Sequence, residues 1–133
     1  MFVITGSTTG KNVILPKELV PSNTNQNVSF IRLKEKDKVR YTWYWLSSEL
    51  IQNQVRIMNN ISTLPSLSME DLGNFSIPLP IKSELNQIVV YLDSKTKEID
   101  DLIQLEQKKI DLLKEYRQSL ISEVVTGKVK VTQ

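Results

Sequence analysis

Asn25, Gln26 and Asn27 set three amide side chains in a row. Amides of this type bond bidentately to the edge of adenine in the DNA major groove. They also cap turns by bonding nearby backbone groups, so the tripeptide alone supports either reading. Upstream, Gly6-Ser7-Thr8-Thr9-Gly10-Lys11 forms a glycine-bounded turn. The hydroxyls of Ser7, Thr8 and Thr9, the turn's amides and the Lys11 cation suit phosphate oxygens. The run lacks the full Walker pattern, because Asn12 follows the lysine where Ser or Thr is needed, so nucleotide hydrolysis is not expected. Lys34, Lys36, Lys38 and Arg40 alternate with Glu35 and Asp37. That pattern suits a solvated hairpin or loop, with phosphate contact as the other use. Tyr41, Trp43, Tyr44 and Trp45 could stack on unpaired bases, but their helical spacing favours core and helix packing.

The absences are as informative. The chain has 133 residues, no Cys and no His. A disulfide framework, a zinc finger, a thiol nucleophile and a histidine-based triad or metal site are excluded. No carboxylate pair stands out as catalytic, so neither enzyme activity nor a cofactor nor a metal is expected. The net charge is +2, and the excess sits in residues 1–40, with seven basic and three acidic side chains. A basic N-terminal segment could face a phosphate backbone; a solvated surface explains so small an excess equally well. Apolar runs are too short for a membrane span, and the first residues lack the features of a signal peptide, so the expected compartment is the cytoplasm.

The elements that must hold these residues are short at first. Met1–Thr5, Asn12–Leu15 and Asn27–Leu33 read as strands, the last by its alternation. Tyr41–Met58 carries the stripe Trp45, Leu46, Leu50, Ile51, Val55, Met58, which predicts one amphipathic helix. Ser68 precedes two acidic residues and predicts a capped helical turn. Phe75–Leu79 reads as a short strand before Pro80.

All five prolines lie before residue 81, and neither Gly nor Pro occurs from Ile81 to Thr126. One uninterrupted helix is therefore predicted from about Ser83, as N-cap, to Thr126, with Gly127 as its stop. Spacing of four and three from Leu85 gives Leu85, Val89, Leu92, Thr96, Ile99, Ile103, Glu106, Ile110, Leu113, Arg117, Leu120 and Val124. Nine of these twelve positions are apolar, a coiled-coil pattern sustained over about five heptads. Thr96, Glu106 and Arg117 interrupt the seam; they set its register or lie where it meets solvent, or the opposite charges pair across an antiparallel partner. The remaining 80 or so residues cannot cover so long a stripe, so a homodimer paired through this helix is expected. The fold class is α+β: a small mixed domain over 1–81, a long coiled-coil-forming helix over 82–127 and a tail over 128–133.

Several of these segments resemble one family. Ile77-Pro78-Leu79-Pro80, Ser83-Glu84, Gln87-Ile88-Val89 and Tyr91-Leu92-Asp93 resemble the start of the long helix in specificity subunits of type I restriction–modification enzymes. Leu112 to Lys128 resembles its end. Asn25-Gln26-Asn27, Leu67 to Leu72 and the Gly6–Lys11 turn resemble the distal half of that family's target recognition domain. Ser62, Thr63 and Pro65 match a Gly-Ser-Thr-Gln-Pro-Asn-like run, while Ile61, Leu64 and Ser66 replace its Gly, Gln and Asn. The resemblance implies a non-catalytic subunit in which a recognition domain reads half of a bipartite site in double-stranded DNA. Its long helices pair antiparallel as a spacer and dock the modification (methyltransferase) subunits, which the restriction subunits then join. It implies DNA contact by Ser7, Thr8, Thr9, Lys11, Asn25, Gln26, Asn27, Ser62 and Thr63. By size the chain corresponds to the C-terminal portion of such a subunit: part of one recognition domain plus one helix. The alternative expectation is a structural oligomerisation remnant or decoy without specific DNA binding.

Overall fold

The computed structural model describes residues 2–4, 10–25, 28–61 and 67–131. The chain divides into two compact units, Met1–Val89 and Val90–Gln133.

In the first unit, β1 (Phe2–Ile4) is the middle strand of a three-stranded antiparallel sheet, between β2 (Asn12–Val13) and β3 (Val28–Phe30). The register pairs Val3 with both Asn12 and Ser29, and Ile4 with Val28. The first three of the four expected strands are present, and β2 and β3 end sooner than expected, at Val13 and Phe30. Pro16 leads into a 3-10 turn at Lys17–Leu19 instead of further pairing. Ile31, which breaks the alternation, leaves the sheet to pack against the helical core.

The core is made by helices. A 3-10 turn at Lys36–Lys38 leads into α1 (Val39–Ser47), followed by α2 (Glu49–Ile61). The single helix expected over Tyr41–Met58 is thus two. Ser48 adopts an extended conformation, ψ 148°, and both its N–H and its hydroxyl donate to the Trp45 carbonyl, at 3.1 and 2.6 Å. Its own carbonyl accepts from Gln52 N–H at 3.0 Å, which starts α2. The break turns Leu46 on α1 and Ile51 and Val55 on α2 into one cluster with Leu67, all four buried. Trp45, Met58, Leu72 and Phe75 pack around it.

α3 (Met69–Asn74) begins at Ser68 with a reciprocal cap: Asp71 N–H donates to Ser68 Oγ at 3.0 Å, and Ser68 N–H donates to Asp71 Oδ2 at 2.9 Å. Phe75–Leu79 is not a strand. Phe75 meets Trp45 edge-on at 6.2 Å, and the Pro78 carbonyl accepts from Tyr41 Oη at 2.7 Å, so this stretch lies across α1 as an irregular strap.

α4 runs over Lys82–Val125. Leu85 N–H bonds to the Ile81 carbonyl, so the helix starts one residue before Ser83, which lies inside its first turn and not at the cap. Lys82 forms an ion pair with Asp37 at 2.9 Å, and Leu85 is buried, 3% exposed. In the second unit α4 continues and ends in a two-bond cap: Lys128 N–H reaches the Glu123 carbonyl, Gly127 N–H reaches Val124, and Gly127 has φ +73°. Ion pairs one turn apart, Lys95–Glu98, Glu106–Lys109 and Asp111–Lys114, decorate its surface. No described helix is long and apolar enough to cross a membrane.

Candidate nucleic-acid interface

The loop that ends at Lys11 is anchored at Gly10. This residue is buried with φ +89°, a conformation open to glycine, and an added Cβ would lie 2.9 Å from Gln52 Oε1. Gln52 Nε2 donates to the Gly10 carbonyl at 3.1 Å and to the Leu46 carbonyl at 2.7 Å, tying the loop to the α1–α2 junction. Asn12 Nδ2 contacts Ser47 Oγ at 3.3 Å, and Trp43 Nε1 donates to the Asn12 carbonyl at 3.4 Å. Between Gly10 and Asn12, both held, Lys11 is exposed.

Asn25 closes the turn before β3: its carbonyl accepts from Val28 N–H at 3.2 Å. Register then sets the geometry. β1 ends at Ile4, which pairs with Val28, and Val3 pairs with Asn12. Lys11, just before β2, and Asn25, bonded to the start of β3, therefore lie at the same end of the sheet. Of the expected DNA-contacting residues, Lys11 and Asn25 share that end. Ser7, Thr8, Thr9, Gln26, Asn27, Ser62 and Thr63 lie outside the described residues.

The basic stretch from Lys34 to Arg40 is a helix entrance rather than a hairpin. Lys38 pairs with Glu35 at 2.6 Å. Lys82 bonds to Asp37 and holds that carboxyl below its ordinary value, while its own pKa is raised by the same contact. Arg40 lies over the rings of Trp43 and Tyr44, at 4.7 and 5.2 Å. Trp43 and Tyr44 also meet edge-on at 4.8 Å, and Trp45 belongs to the core, in keeping with a packing role for these aromatics. Sequence reasoning missed Asn12, Ser47 and Gln52. Their signal is indirect: a glycine fixed in a left-handed conformation needs partners to hold its loop.

Along α4 the expected seam divides. Leu85 is buried and Val89, Leu92 and Val124 are half-buried, whereas Ile99, Ile103, Ile110, Leu113 and Leu120 are exposed. Leu102, Leu105, Leu112 and Tyr116 widen this exposed apolar surface. Thr96, one of the polar interruptions, turns its hydroxyl back to the Leu92 carbonyl at 2.7 Å.

The family model for the type I restriction modification DNA specificity domain matches residues 1–115. A protein of Methanocaldococcus jannaschii, named for a type I restriction enzyme specificity subunit, MjaX, is 26% identical over 98 residues. That alignment takes in 74% of this chain and 22% of the relative, so the chain spans well under a third of its relative's length. No solved structure matches the chain. The family model covers well over half of the chain, and the chain belongs to the type I restriction modification DNA specificity domain family.

Proposed function

We propose that this chain is a DNA-recognition module of a type I restriction–modification system, and that α4 pairs with the α4 of a second copy to form a homodimer that docks methyltransferase subunits. The observation that carries the pairing is the run of exposed seam residues from Ile99 to Leu120 on one helix. A surface that apolar, set at coiled-coil spacing and edged by ion pairs one turn apart, is the form a helix takes when another helix covers it. DNA recognition rests on family membership and on the shared sheet end that carries Lys11 and Asn25. Ser7, Thr8, Thr9, Gln26, Asn27, Ser62 and Thr63, singled out by the sequence, complete the proposed contact set. Amides there read base edges; hydroxyls and Lys11 hold phosphates.

Sedimentation at micromolar concentration tests the pairing: a dimer is expected, and a clean monomer overturns it. Co-purification with the modification subunit tests docking, with loss expected for Leu92→Asp, Ile103→Asp or Leu113→Asp. Titration with duplex DNA at low and moderate salt tests recognition. Binding absent even at low salt would leave a structural oligomerisation piece or decoy in its place.

A further inference from the structure

A groove of about 600 Å³ in the first unit lies apart from the sheet end that carries Lys11 and Asn25. Its surface is mostly apolar and includes Val20, Pro21, Phe30 and Leu33. Phe30 is 55% exposed and Val20 62% exposed, unusual for side chains of this type grouped in one depression. The groove's charged residues are Arg32 and Lys36, both basic, with no carboxylate among its lining. The neighbouring acids are engaged elsewhere, Glu35 with Lys38 and Asp37 with Lys82.

The same surface includes the outer edge of β3, where the Val28 end is already capped by its own chain. β3 is an outer strand of the sheet. Val28 N–H donates to the Asn25 carbonyl and the Val28 carbonyl accepts from Thr24 Oγ1 at 3.1 Å, so the peptide groups of Val28 turn away from β1. Antiparallel pairing alternates inward and outward peptide groups. Phe30, two residues on, therefore also presents its N–H and carbonyl outward, beside the groove that its side chain lines. The outward peptide groups of Phe30 can therefore bond an extended segment lying in the groove.

We propose that this groove docks an extended polypeptide segment of another protein, which bonds the outward peptide groups of Phe30, places alternate apolar side chains against Val20, Phe30 and Leu33, and pairs a carboxylate with Arg32 and Lys36. Charge complementarity selects the acidic group, and the apolar floor selects polypeptide over nucleic acid, whose backbone has little apolar surface to bury. This site does not rest on the DNA-recognition reading.

The test selects random phage-displayed peptides on the full chain and measures the enriched peptides as synthetic ligands. Peptides that alternate apolar and acidic residues are expected. Their affinity should fall by at least about tenfold in the doubly substituted Arg32→Glu, Lys36→Glu chain, whose far-ultraviolet circular dichroism stays unchanged, and should fall similarly when the peptide's acids become amides. Hydrogen exchange at the Phe30 amide should slow on binding, and excess duplex DNA should leave the peptide bound. Failure to enrich such peptides, affinity insensitive to the charge reversal, or an unchanged Phe30 exchange rate overturns the proposal. Displacement by duplex DNA also overturns it and assigns the groove to nucleic acid.

Discussion

Gly10 shows how a single residue sets the position of a candidate contact. Its φ of +89° disfavours any side chain, and an added Cβ meets Gln52 Oε1 at 2.9 Å and Val55 Cγ1 at 3.1 Å. Val55 belongs to the buried cluster and has little room to retreat. Gly10→Ala should therefore destabilise the first unit by about 1–3 kcal/mol, measured by urea denaturation. Gln52→Leu should be comparably costly, because two carbonyls, of Gly10 and Leu46, lose the same donor. If DNA affinity at low salt falls with Gln52→Leu while the fold persists, the anchoring of Lys11 is what matters. The sequence made Gly10 visible as a turn residue, but the far end of its anchor, 42 residues on, carried no local mark. Hydrogen bonds between distant side chains and backbone leave no periodicity to read.

Elements were legible in proportion to how local their causes are. The Ser68 cap needs only neighbours, and Ser68 caps the helix as predicted, with the reciprocal bond to Asp71 added by the structure. Its pH dependence follows from the same contact. Bonds from the Ser68 hydroxyl and backbone N–H hold the Asp71 carboxyl below its ordinary value of 3.8. A lowered pKa stabilises the fold above the unfolded value, and that contribution disappears as pH falls through the folded one. The stability difference between the native chain and Asp71→Asn should thus be full at neutral pH and shrink below about pH 4, measured by denaturation across a pH series. Ser68→Ala should cost about 1 kcal/mol at neutral pH. The break between α1 and α2 was not legible, because it uses neither Gly nor Pro. Ser48 is an ordinary helix residue until its hydroxyl and N–H both turn to Trp45, and what rewards that turn is the Leu46–Ile51–Val55–Leu67 cluster. The short strand expected at Phe75 failed for a similar reason, since Trp45 and Tyr41 offer it tertiary contacts in place of a ladder.

At the scale of the whole molecule, the heptad pattern treats Leu85 and Leu113 as equivalent, and the structure separates them. Leu85 is 3% exposed in the first unit, while Leu113 is 58% and Ile103 61% exposed in the second. Periodicity reports that a side chain will be covered, not by which body, so one seam in sequence serves a domain core at its start and offers an open surface farther on. The division gives opposite expectations for like substitutions. Leu85→Ala should lower the stability of the first unit by about 2–5 kcal/mol at any protein concentration, because it empties a filled site. Ile103→Asp and Leu113→Asp should leave the first unit's denaturation midpoint unchanged. In a dimer paired through α4, they should instead shift sedimentation to the monomer and reduce the helical circular dichroism signal, since a helix that loses its partner also loses most of what stabilises it. Concentration dependence separates the two cases: the native chain's thermal midpoint should rise with protein concentration, and that of Leu113→Asp should not. A midpoint independent of concentration in both would mean that the exposed stripe of α4 is covered by a different chain, and co-expression with the modification subunit would then be the condition under which Ile103 and Leu113 become buried.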